Sequence, residues 1–191
     1  MTSTLKVDAI QGSTTAGSVA MPSGHVIQVV NANSYGAAGY SLSASTEQNL
    51  LSCSITPKFS NSHMILDVRW NFSPKDSNTD FGLAMRREIG GSLTGYVNGS
   101  SLPDGTRGDF SVGGVSRECF WWIDDAPVRH QYSAWSCSSC LKDTYSGTDE
   151  RTYQMTLGTT ATGKTIYWNQ AEAGITYAGG ITSITIMEIA Q

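Results

Sequence analysis

Charge is scarce in this chain. Only 15 % of its 191 residues are Asp, Glu, Lys or Arg, where a globular domain ordinarily carries about a quarter. The balance is acidic, at a net −4, which argues against a nucleic-acid binder that neutralises many phosphates. No basic start followed by an apolar core resembles a signal peptide. No apolar run approaches the length of a membrane span. Together these absences predict a soluble protein that folds where it is made, with no nucleic acid and no membrane insertion. Helical periodicity is also nearly missing. One capping-box match, Ser45-x-x-Gln48, predicts a single helical turn before Leu50.

Cysteine and histidine are too sparse for a metal centre. The cysteines are Cys53, Cys119, Cys137 and Cys140, and the histidines His25, His63 and His130 are scattered. Cys137-Ser-Ser-Cys140 has metal-ligand spacing, yet no second Cys pair and no partner His completes a zinc site. On a strand those two positions would face opposite ways. Without a signal peptide, free thiols are expected over disulfides. No metal and no cofactor is expected.

What the chain does have is strands. About nine β-branched or alternating runs are bounded by Gly, Ser, Asn or Pro. His25–Val30 is the first. Leu51, Cys53 and Ile55 alternate with serines until Thr56-Pro57 stops them. The clearest run is His63–Phe72, with Met64, Leu66, Val68, Trp70 and Phe72 on one face and Asp67, Arg69 and Asn71 on the other. Phe81, Leu83 and Met85 follow the turn signal Ser73-Pro-Lys-Asp76, and a Gly-rich loop region is expected from Gly90 to Gly114. Glu118–Ile123, Val128–Cys137, Arg151–Leu157, Lys164–Asn169 and Ile181–Ile189 complete the set. The predicted fold is all-β: an antiparallel double-sheet sandwich, jelly-roll-like, with an extended N-terminal arm.

The arm is residues 1–23 and the β-sandwich head residues 24–191. Up to Ser23 the chain carries only two charges, Lys6 and Asp8. Alone, this stretch cannot bury enough apolar surface to offset its ordering entropy. It is either a disordered tail or an arm whose Leu5, Val7 and Ile10 pack against neighbouring subunits or a docking partner. Leu5 and Val7 keep strand alternation, which favours the arm.

Three motifs have bland explanations. Gly158-Thr-Thr-Ala-Thr-Gly163-Lys164-Thr165 matches the phosphate-binding loop formally. That loop needs a helix N-terminus behind it, and Ile166-Tyr-Trp-Asn169 reads as a strand. The strand before it alternates polar and apolar residues, so a Thr/Gly-rich turn explains the match. Arg107-Gly108-Asp109, read by integrin-type receptors, is made of ordinary turn formers. Glu118 and Asp124-Asp125 invite a glycosidase reading, but Asp124-Asp125-Ala-Pro127 reads as a turn closing Glu118–Ile123. With no nucleophile motif, no catalytic residue is assigned.

The aromatic cluster is harder to set aside. Phe120, Trp121 and Trp122 are consecutive, so alternation sends Trp121 to one face and Phe120 and Trp122 to the other. If one face is core, a large aromatic points outward or into an interface. Trp135, on a strand expected to neighbour this one, can share that role. Intersheet packing, subunit contact and stacking on sugar rings all remain open.

The chain also carries a resemblance. Pro22-Ser-Gly-His-Val-Ile-Gln-Val-Val30, Ser54-Ile-Thr-Pro57, Asn61-Ser-His-Met-Ile-Leu66, Trp122-Ile-Asp-Asp-Ala-Pro127, Thr165-Ile-Tyr-Trp-Asn169 and Ser183-Ile-Thr-Ile-Met-Glu-Ile189 resemble, in that order, a family of tailed-bacteriophage virion structural proteins. These are common in marine viruses and cyanophages and are often described as tail-fibre-like. The opening Ser3-Thr-Leu-Lys-Val-Asp8 is similar to the start of such chains, and Gly90–Cys140 departs most. The resemblance implies a non-enzymatic virion component, assembled in a host cytoplasm and usually homotrimeric. Its partners would be other virion proteins of tail or capsid, and a host surface glycan or protein. The implied role is tail-fibre or tail-tip attachment to the host, or alternatively decoration of the capsid.

Overall fold

The computed structural model describes residues 22–36, 38–42, 47–74, 79–97, 109–112, 115–118, 121–126, 135–159, 164–169 and 180–191. Among them lie thirteen strands and no helix. One antiparallel sheet holds β1 (Val26–Ser34), β13 (Thr182–Ile189), β4 (His63–Pro74), β12 (Lys164–Trp168), β2 (Ala38–Leu42) and β10 (Trp135–Asp143). Strand β4 is its spine. β10 runs along one edge of β4, and β13 followed by β12 shares the other.

The second sheet is β3 (Glu47–Ile55), β11 (Arg151–Thr159), β5 (Thr79–Ile89), β6 (Ser92–Tyr96) and β9 (Trp121–Ala126). β11 lies between β3 and β5, and β6 and β9 share the far edge of β5. A small hairpin, β7 (Asp109–Val112) with β8 (Val115–Glu118), completes the set. Taking β1, β3, β4, β5, β9, β10, β11 and β13 as the eight principal strands, the first sheet reads first–eighth–third–sixth and the second reads second–seventh–fourth–fifth. That order is two interlocked Greek keys, a jelly roll.

The core is the inward face of both sheets. Met64, Leu66, Val68, Trp70 and Phe72 of β4 are all buried, as the alternation requires. Leu141, Ile166, Trp168, Ile184 and Ile186 join them from the same sheet. Cys53, Ile55, Leu83, Met85, Tyr153, Met155 and Leu157 meet them from the other. Burial also pushes the Cys53 thiol above its ordinary pKa, which makes it an inert packing residue.

Several expectations are corrected. Gln48 belongs to β3, so the predicted capping box does not start a helical turn; β-pairing with β11 takes those backbone groups instead. The stretch from Gly90 to Gly114 is not one loop. Gly90 and Gly91, at φ 59° and 78°, make a two-residue turn that folds β6 back on β5, and β7 lies further along. Asp124 and Asp125 sit inside β9 instead of closing it. β10 continues to Asp143, beyond the predicted end at Cys137. β11 does not alternate to its end, for Thr156 and Gly158 are buried beside Leu157; β7 lies against β11 and β5 on that side.

β12 ends one residue early because Asn169 turns left-handed, at φ 55°, a conformation Asn tolerates better than most. Its buried side chain donates to the carbonyls of Ser34 at 3.0 Å and Gly36 at 3.2 Å, and accepts from Thr182 Oγ1 at 2.7 Å. One asparagine thereby fastens the exit of β1 to the entry of β13.

Candidate interaction surface

Among the described residues the inward faces of both sheets pack into one apolar core, and the polar clusters sit at the ends and outer faces of the sandwich. At one end the buried carboxylate of Glu188 accepts from Gln28 Nε2 at 2.6 Å, the Lys58 amide at 2.8 Å, the Phe59 amide at 3.2 Å and Ser62 Oγ at 2.5 Å. This cage satisfies the charge by hydrogen bonds and pins the turn after Pro57 to β13. Its donors surround the carboxylate, and no reacting group is left to meet.

A second polar cluster bridges the two sheets. Arg87 of β5 donates to Asp143 Oδ1 of β10 at 2.6 Å, and the Tyr153 hydroxyl donates to Oδ2 at 2.7 Å. Burial above all, then the adjacent Asp143 carboxylate, holds the Tyr153 phenol well above its ordinary pKa. Arg87 lies 4.3 Å and Arg151 5.5 Å from the centroid of the Tyr145 ring. An open cleft of about 360 Å³ is lined here by Tyr96, Val97, Lys142 and Thr144 with the cluster itself. Its charged anchors, Arg87 and Asp143, are committed to each other, so the cleft works as a seam between sheets.

The outer face of the β5 sheet carries a third network. Arg86 donates to Glu88 at 2.8 Å, Gln154 donates to Glu88 at 2.8 Å, Tyr96 OH donates to Glu47 at 3.3 Å, and Thr156 also donates to Glu47. The two half-buried carboxylates of Glu47 and Glu88 are thereby occupied. Among the described residues no group of three His, Cys, Asp or Glu is placed to hold a metal ion.

The open surface is the outer face of the β4 sheet. Strand register sets its residues in cross-strand rows: Asn33–Ser183–Arg69–Ser138, Asn31–Thr185–Asp67–Cys140 and Val29–Met187–Ile65–Lys142. The first two rows are polar and partly self-bonded, with Asn33 donating to Asn31 at 2.6 Å and Asn31 donating to Thr185 Oγ1 at 2.8 Å. The third row is apolar up to Lys142. Its end residue Val29 is 56 % exposed, and Val26 nearby is 48 % exposed. The free thiol of Cys140 is exposed on the same face. From sequence, Val26 to Val30 are singled out only as a continuation of the arm into the head; the uncharged run Val26–Ser34 is the visible signal of this face.

The residues singled out from sequence fall in three places. Leu5, Val7 and Ile10 lie outside the described residues, as do Cys119, His130, Arg107 and Gly108. Trp121 and Trp122 sit on β9, their backbones opposite Leu83 and Gly82 of β5. Trp135 sits on β10, opposite Phe72 of β4. The expectation that these strands are neighbours is corrected: β9 pairs with β5 and β10 with β4, in different sheets. Positions 137 and 140 both lie on β10, and Cys140 is an exposed free thiol. Lys164 and Thr165 open strand β12, and no helix follows the phosphate-loop match. Asp109 begins β7 and Glu118 ends β8.

No protein-family model matches the chain, and no curated protein does. Among solved structures it is similar to infectious bursal disease virus, Gx strain, at 8 % identity and TM-score 0.39, over 97 % of this chain and 42 % of that one. It is also similar to the VP2 subviral particle of infectious bursal disease virus, at 10 % identity and TM-score 0.27, over 84 % of this chain and 40 % of that one. This chain thus spans well under half the length of either. Both likenesses are loose and say nothing about what this chain binds.

Proposed function

We propose that this chain is a non-enzymatic structural protein of a bacteriophage particle, a tail-fibre or tail-tip component that helps the particle attach to its host. The observation that carries the reading is a jelly roll whose interior is filled by side chains and whose buried carboxylates are enclosed by donors. Such a domain acts through its surface. The ordered resemblance of Pro22–Val30, Asn61–Leu66 and Ser183–Ile189 to phage virion proteins supplies the setting. In this reading residues 1–23 are a docking or oligomerisation arm carrying Leu5, Val7 and Ile10, and residues 24–191 are the head. Trp121, Trp122 and Trp135 are assigned to subunit contact or to recognition of a host surface glycan or protein. A homotrimer multiplies weak contacts through effective concentration.

Copy number tests the assignment. A tail position predicts few copies per particle and loss of adsorption when the chain is deleted. Many copies, with normal adsorption and a capsid that fails under heat or low salt, would move the chain to capsid decoration.

A further inference from the structure

β1 ends its sheet without the protections that edge strands usually carry. An edge leaves a row of backbone donors and acceptors open to pairing, and proteins blunt it with shortness, charge or proline. β9 carries Asp124 and Asp125, β10 carries Lys142 and Asp143, and β3 begins at Glu47. β2 and β6 have five residues each. β1 has nine residues, none charged and none proline. Among the described residues it pairs with β13 alone. It is also where the apolar row Ile65–Met187–Val29 runs out into solvent.

The same chain supplies a segment of matching character. Within residues 3–11, Leu5 and Val7 alternate with Lys6 and Asp8. A strand returning onto the adjacent edge of its own copy uses a loop of about two to five residues. Here a connection of residues 12–25 intervenes, longer than such a loop. Its first ten residues, extended, span roughly 34 Å, enough to reach a neighbouring molecule. We propose that residues 3–11 of one copy add as a further strand to the open edge of β1 in a second copy, with Leu5 and Val7 on the face that carries the Val29 row. The contact is head-to-tail and closes into a ring when the rotation between copies allows.

Light scattering on the full chain, beside the doubly substituted Leu5→Asp/Val7→Asp chain, is the first arm of the test. The unsubstituted chain is expected at a whole multiple of 20.4 kDa, and the variant at a single copy with an unchanged urea midpoint. The second arm adds a fluorescent peptide of residues 3–11 to the monomeric variant. Binding is expected, and its loss on introducing Val29→Lys/Asn31→Lys. A monomeric unsubstituted chain, a variant that keeps its multimer, or a peptide that does not bind would each overturn the exchange. None of these results bears on whether the chain belongs to a virion, which copy counting in particles decides separately.

Discussion

Single residues at the two ends of the sandwich do more than their types suggest. Glu188 continues an otherwise apolar inward series after Ile184 and Ile186. Four groups remote in the chain donate to it. Glu188→Gln keeps the shape but sets an amide N–H₂ against those donors. The expected cost is about 1–3 kcal/mol, read as a lowered urea midpoint with unchanged slope. An unchanged midpoint would mean that the cage is not closed in solution. Tyr153 makes a pH prediction. Its folded pKa lies above the ordinary 10.0, so above that pH the unfolded chain loses a proton that the folded chain keeps. Stability from this group is complete below pH 10 and declines as pH rises past it. Tyr153→Phe is expected to flatten that alkaline decline relative to the unsubstituted chain, while costing about 1–2 kcal/mol at neutral pH for the lost hydrogen bond to Asp143.

Elements were legible where one face is dry and the other wet. β4 alternates apolar and polar residues, and the structure buries the predicted face. Leu66→Ala is therefore expected to cost about 2–5 kcal/mol. Its neighbour Asp67, whose ion pair with Arg69 is 38 % and 66 % exposed at the two side chains, should cost under about 1 kcal/mol when changed to Ala. Comparable losses at both positions by chemical denaturation would contradict the register. Elements were illegible where local chemistry mimics something else. Ala38–Leu42 and Ser92–Tyr96 are short and Gly-bearing, and become strands because β12 and β5 offer open edges. Asp124-Asp125 looks like a turn but lies within β9, at the register irregularity between the positions that pair with β5. The separation of Trp122 from Trp135 was invisible for a different reason: nothing local in the chain says when it changes sheet.

At the scale of the whole molecule, the eight principal strands interlock so that β1 and β13, almost the full chain apart, lie side by side. Among the described residues β1 is the long sheet edge that lacks charge. Among the described residues the buried carboxylates of Glu188 and Asp143 are held by hydrogen bonds from within the fold. The measurement that tests this account most directly is quantitative mass spectrometry of gradient-purified phage particles, with and without the gene for this chain. The account predicts the chain at a small fixed copy number in complete particles, and particles that assemble without it but fail to adsorb. Its absence from purified particles, with full infectivity after deletion, would contradict a virion role altogether.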